Sequence, residues 1–270
     1  MHRQLSLAVL LSAAVLSSCN WYDGTGVRDI SEPVPSARIK FHNFSPSSVG
    51  VNFYANDVKM TAVLTGSCGS PATAADSTSC ATTGIESATG TAYGGLGSGG
   101  LYDAITPGQY TLTAKIAAKP DVVATATQAI ADGKYYSFFM SGVYNTTSKT
   151  AEAFVVEDPI PTGPVDYSVA YVRLVNAVSN ATGPLTLYAT NAETKAVAAV
   201  GGAVAYKSAG AFVSVPAGTY SLAVQYTGST TSVISRTSAA FVGGRVYTVT
   251  ARGSTATSST LFLDLTENQR

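Results

Sequence analysis

The chain has 270 residues, 16 Lys and Arg against 16 Asp and Glu, and only 12% charged residues. That length holds one large domain or two of ordinary size, either able to bury a core. No Lys/Arg cluster supplies the basic footprint that nucleic-acid binding needs, so nucleic acid is not expected as a partner.

The first predicted element is an address. "MHRQLSLAVLLSAAVLSSCN" places Arg3 before an apolar run from Leu5 to Leu16. The run is too short for a bilayer span, which takes roughly 20 residues. It reads as a signal-peptide core, with residues 1–18 as leader. Leu16-Ser17-Ser18-Cys19 resembles the bacterial lipobox. That resemblance implies cleavage before Cys19 and lipid on its thiol and new amino group. The expected location is the bacterial cell envelope, anchored to a membrane and most simply the outer one. More than one acyl chain makes such an anchor stable. Loss of Arg3 with the leader would leave a net charge of −1.

Residues 19–36 carry the lipidated Cys19 and then a polar tether with Pro33 and Pro35. Two matching series follow. "ARIKFHNFSPSSVGVNFYAND" begins at Ala37, and "AYVRLVNAVSNATGPLTLYATN" begins at Ala170. Ile39, Lys40, Phe41 and Asn43 correspond to Val172, Arg173, Leu174 and Asn176. "ITPGQYTLTAKI" from Ile105 corresponds to "VPAGTYSLAVQY" from Val215. "IADGKYYSF" from Ile130 corresponds to "FVGGRVYTV" from Phe241, and "AEAFVVED" from Ala151 to "LFLDLTEN" from Leu261. The period exceeds any solenoid repeat, so tandem domains are expected. The first spans 37–158 and the second 167–270. Residues 159–166 form a short, stiff, proline-bearing linker.

Period-two alternation marks strands. Tyr220, Leu222, Val224 and Tyr226 alternate with Ser221, Ala223 and Gln225; Tyr110, Leu112, Ala114 and Ile116 do the same. Further runs near 37–43, 50–55, 122–130, 135–143 and 151–156 give about seven strands per copy, a sandwich count. The predicted fold is all-β: two tandem immunoglobulin-like antiparallel β-sandwiches. Gly108 and Gly218 precede a strand, where a turn can demand positive φ. Tyr110 and Tyr220 follow two residues later. Gly-x-Tyr at a strand entry resembles a tyrosine corner, whose hydroxyl bonds upstream backbone.

The first copy carries an insertion over 65–100. Cys68 and Cys80 bracket its Ser/Thr/Ala-rich part. Export and an even pair predict a disulfide, contributing about 2–3 kcal/mol. The insertion is either a binding loop or a surface decoration.

Taken together, the series "ARIKFHNFSPSSVGVNFYAND", "ITPGQYTLTA", "AFVSVPAGTYSLAV" and "FVGGRVYTV" resembles a bacterial family, domain of unknown function 4397. The resemblance runs from Ala37 to the C-terminus. It implies exported, often lipid-anchored sandwich domains in tandem, and no known activity or catalytic residue.

The residues offer little chemistry of their own, and no catalytic residue, metal site or cofactor is predicted. Outside the leader the one His is His42, on the first strand, where a structural or surface role is expected. "GLGSGG", 95–100, fits a dinucleotide-loop pattern but leads into a strand and turn, so it reads as a flexible part of the insertion. Glu157, Asp158 and Asp166 read as solvated linker charge, with Ca²⁺ binding as the alternative. The expected function is non-enzymatic: binding, adhesion or envelope organisation, with an envelope protein or glycan as partner. Two alternatives remain. One is a carbohydrate-binding accessory module using exposed Tyr102 or Tyr135. The other is a hydrolase using paired carboxylates.

Overall fold

The computed structural model describes residues 37–61 and 88–268. Cys19, Cys68 and Cys80 lie outside the described residues. The described residues are all-β and form two sandwiches.

The first sandwich contains β1 (Ala37–Asn43), β2 (Val51–Ala55), β3 (Val58–Lys59), β4 (Asp103–Ile105), β5 (Gly108–Ile116), β6 (Val122–Ile130), β7 (Tyr135–Asn145) and β8 (Thr150–Glu157). One sheet runs β4-β1-β7-β8 and the other β3-β2-β5-β6. The second contains β9 (Val169–Ser179), β10 (Leu185–Asn191), β11 (Val197–Val204), β12 (Ser208–Ala209), β13 (Val213–Pro216), β14 (Gly218–Tyr226), β15 (Ser232–Phe241), β16 (Val246–Ser254) and β17 (Thr257–Asn268). Its sheets run β12-β9-β16-β17, with β13 also on β9, and β11-β10-β14-β15. The ladders are antiparallel except that β1 pairs parallel with β7 and β9 with β16. Arg38 stands opposite Tyr135, and Tyr171 opposite Val246. Those partners correspond in the repeated series, so the two sandwiches share a register as well as a strand order.

Each sandwich has its own core. Ile39, Phe41, Phe53, Leu112 and Phe138 fill the first; Val172, Leu174, Leu187, Leu222, Val224 and Val249 fill the second. Each such side chain contributes about 1.5–3 kcal/mol by leaving water. Phe41 stacks on Phe53 with ring centres 5.1 Å apart.

The strands β1, β7, β9 and β16 are buried along nearly their whole length. A strand at the surface of one sandwich would alternate. These do not, because the β1–β7 sheet and the β9–β16 sheet lie back to back. Phe44, Phe139 and Phe154 of the first sandwich form a third apolar cluster with Val175 and Ala177 of the second. The described strands are therefore layered four sheets deep.

The segment 95–100 is ordered, not a flexible part of the insertion. Gly94 N–H donates to Asn43 O at 2.8 Å, and Asn43 N–H to Gly95 O at 3.0 Å, so the segment pairs with the end of β1. A short 3-10 turn follows over Gly97–Gly100. The linker's far end is tied down too. Gly244 sits at φ +79°, and a Cβ there would stand 2.7 Å from Val165 Cγ1. Only glycine meets both demands without strain.

Candidate functional site

The predicted corner residues sit as follows. Tyr220 is buried and its hydroxyl donates to Pro216 O at 2.9 Å. Tyr110 is half-buried against the first core. Gly108 and Gly218 have φ of 156° and 158°, at the border of the extended region rather than in a left-handed turn. A Cβ at either would lie 3.6 Å from the following tyrosine's Cε2, so each glycine is the floor under a ring.

A second pair of tyrosines makes a corner that sequence reading missed. Ala131 N–H donates to the Tyr136 hydroxyl at 3.1 Å, and Val242 N–H to the Tyr247 hydroxyl at 3.2 Å. Both bonds reach five residues back along the chain. The Gly-x-x-Tyr spacing repeated in "DGKYY" and "GGRVY" carried that signal.

The densest chemistry lies between the sandwiches. On β1 and β9 one face fills the home core, while the alternate residues Lys40, His42, Arg173 and Val175 turn toward the other sandwich. Arg173 is 1% exposed. It donates from Nε to Thr248 Oγ1 at 3.1 Å and from Nη1 to Glu157 O at 2.9 Å, and its Nη2 pairs with Asp158 Oδ1. Asp158 is also 1% exposed. Its Oδ2 accepts the hydroxyls of Tyr102 and Ser137, each at 2.7 Å. Asp158 is thus a buried ion-pair partner and not the solvated linker charge expected of it. Tyr102, expected as an exposed platform, is spent on the same carboxylate, and burial with that partner drives its pKa upward.

Lys40 occupies the corresponding place on the first sandwich. It is 1% exposed. Its Nζ donates to Glu267 O at 2.8 Å and to Asn268 Oδ1 at 3.1 Å. Asn268 Nδ2 donates to Thr248 Oγ1 at 2.8 Å. Burial pushes the Lys40 pKa down to about 8, partly offset by the charge of Asp158.

These contacts are reciprocal. Lys40 corresponds to Arg173, Asp158 to Asn268, Ser137 to Thr248, and Glu157 to Glu267. Lys40 Nζ lies 4.2 Å from the centre of the Tyr102 ring, and the Arg173 guanidinium 4.6 Å from the corresponding Phe212. Tyr93 and Tyr206 extend the pattern: the Arg252 guanidinium lies 4.5 Å from the centre of the Tyr93 ring, and the Tyr206 hydroxyl lies 3.2 Å from the Oγ of Ser141, the counterpart of Arg252. If residue i of one half touches j of the other and j's counterpart touches i's, the contact has two-fold character. Here one chain supplies both halves.

The interface departs from symmetry in its apolar half. His42 stacks on Phe139 with ring centres 4.3 Å apart and is 2% exposed. Neither ring nitrogen has a hydrogen-bond partner among the described residues. Burial, with Lys40 and Arg173 nearby, holds its pKa well below the usual histidine value. Arg252 lies against the rings of Tyr93 and Phe262, each 4.5 Å away, and pairs with Asp264. Gly94 admits it: a Cβ there would be 2.9 Å from Nη2.

Beside this interface an open cleft of about 640 Å³ runs between the β6–β7 turn and the linker, lined by Asp132, Tyr135, Pro159 and Pro161 among others. Its rim carries the Lys134–Glu157 ion pair at 2.9 Å. Arg245 and Glu267 make the matching pair on the second sandwich at 2.6 Å.

No curated protein matches the chain. Among solved structures, the Bacillus anthracis TIE protein is 9% identical with a TM-score of 0.24; the match covers 80% of this chain and 34% of that one, so the chain spans about a third of its length. The family-26 carbohydrate-binding module CBMbc of Eubacterium rectale Amy13K, solved with maltoheptaose, is 11% identical with a TM-score of 0.25, covering 87% of this chain and 97% of that one. Scores this low establish neither a shared fold nor a shared function. Residues 170–270, nearly all of the second sandwich, match the family model of DUF4397, a domain of unknown function.

Proposed function

We propose that this chain is a non-enzymatic protein of the bacterial cell envelope, held to a membrane by lipid on Cys19. Its two sandwiches are tandem copies of one DUF4397 domain, locked back to back as a single projecting body. It acts in binding, adhesion or envelope organisation, with an envelope protein or a glycan as partner.

The observation that carries this reading is the use made of the buried polar residues. Lys40, Asp158, Arg173 and Asn268 are each bonded across the interface or within its network. Their chemistry goes into joining the copies. The same strand order and register in both sandwiches support duplication. The address rests on Arg3, the apolar run and the Leu-Ser-Ser-Cys sequence ending at Cys19.

Expressed from its own start in a Gram-negative host, the protein is expected in the detergent phase of a Triton X-114 partition. Cys19→Ala should move it to the aqueous phase or leave the leader uncleaved. Wild-type protein found in the aqueous phase with an unmodified Cys19 would overturn the anchor. Crosslinking in cells, followed by mass spectrometry, then reads the partner.

A further inference from the structure

We propose that Lys40 and Asn268 become joined by an isopeptide bond, formed within the folded chain and tying the first sandwich to the second. The inference rests on the interface geometry and is independent of the lipid anchor.

The two reciprocal sites of the interface differ in charge. At one, a permanent cation faces a carboxylate, Arg173 against Asp158. At the other, an amine faces a carboxamide, Lys40 against Asn268. Among the described residues, no carboxylate lies within ion-pair distance of Lys40. With Lys40 protonated, the buried centre holds two cations and one anion, since the carboxylates of Glu157 and Glu267 pair with Lys134 and Arg245 at the surface. An unbalanced buried charge is unfavourable, and it disappears if the amine is neutral or acylated.

The geometry suits acylation. Nζ is held 3.1 Å from the oxygen of the group it would attack, and Lys40 and Asn268 are 1% and 3% exposed. A second bond, to Glu267 O at 2.8 Å, fixes the amine's direction. The departing nitrogen is held by Thr248 Oγ1 at 2.8 Å. Amides resist amines in water, but fixed proximity in a dry site replaces a bimolecular encounter. The lowered pKa of Lys40 supplies a fraction of neutral amine at neutral pH.

The step balances without a co-reactant. Nζ forms a bond to Cγ of Asn268, the Cγ–Nδ2 bond breaks, one amine proton ends on Nδ2, and ammonia leaves. The product is a neutral amide between β1 and β17, the first and last described strands.

The test is peptide mapping of the purified full chain. Trypsin does not cut after an acylated lysine. The expected product is therefore residues 39–59 joined to residues 253–270, lighter by one ammonia than the two peptides together. Lys40→Arg, which copies the residue at the matching site, should release 253–270 as a free peptide of unaltered mass. Wild-type chain that yields unjoined peptides, cut after Lys40 and with Asn268 intact, would overturn the proposal. So would an ammonia loss that persists on 253–270 in Lys40→Arg.

Discussion

Arg173→Met is expected to lower the unfolding free energy by about 3–5 kcal/mol, the usual cost of removing one member of a buried ion pair. The guanidinium serves Thr248, the Glu157 carbonyl and Asp158 at once. Without it Asp158 stays buried with a charge and only two hydroxyl donors, Tyr102 and Ser137. Lysine is not a substitute, because one ammonium cannot reproduce the guanidinium's fork of donors. The double variant Arg173→Met/Asp158→Leu should recover most of the loss, since an apolar pair of similar volume leaves no charge stranded. Urea unfolding of the four chains of the cycle reads the coupling. Strictly additive single effects would mean that the pair does not lock the two sandwiches.

The second large effect is acid lability centred on His42. The folded imidazole resists protonation because it is buried, stacked on Phe139 and near Lys40 and Arg173. The unfolded chain binds that proton near pH 6.5. Below that value the unfolded state holds more protons than the folded one. Stability must then fall as pH falls, by up to about 1.4 kcal/mol per pH unit for this single group. Wild type should lose clearly more stability than His42→Phe between pH 7.5 and 5, read by urea midpoints. Equal losses in both chains would show that His42 is protonated in the fold. Phe keeps the ring stack, and the matching position on β9 already carries an apolar residue, Val175.

The strands were legible because alternation is local. Tyr220, Leu222 and Val224 announce a strand whatever lies beyond it. The face between the sandwiches was not legible, for the same reason. Arg173, Thr248, Thr250 and Arg252 occupy alternate positions that normally meet water. All are buried, because the partner on that face is another sheet. Polar residues on one face of a strand do not say whether solvent or a polar protein surface lies opposite. Asp158 was misread because it stands beside Pro159 in a linker-like sequence, and only the fold brings Arg173 to it. Asn43 and Asn176 stood out as matched landmarks. Their side chains clamp backbone carbonyls, Thr91 O at 2.8 Å and Val204 O at 3.0 Å, a structural use that repetition alone could not specify. The Tyr136 and Tyr247 corners were within reach, since the same Gly-x-x-Tyr spacing recurs in both copies.

The central claim is that the two sandwiches hold one another through matched, buried faces and not merely through their linker. The direct measurement uses a chain with a protease site placed between Thr162 and Gly163. It also carries Asn268→Ala, so that no covalent bond between the halves contributes. After complete cleavage the halves are expected to elute together from a native gel-filtration column as one species of the uncut size, and to separate only in denaturant. Two independently eluting, folded halves under native conditions would contradict the claim.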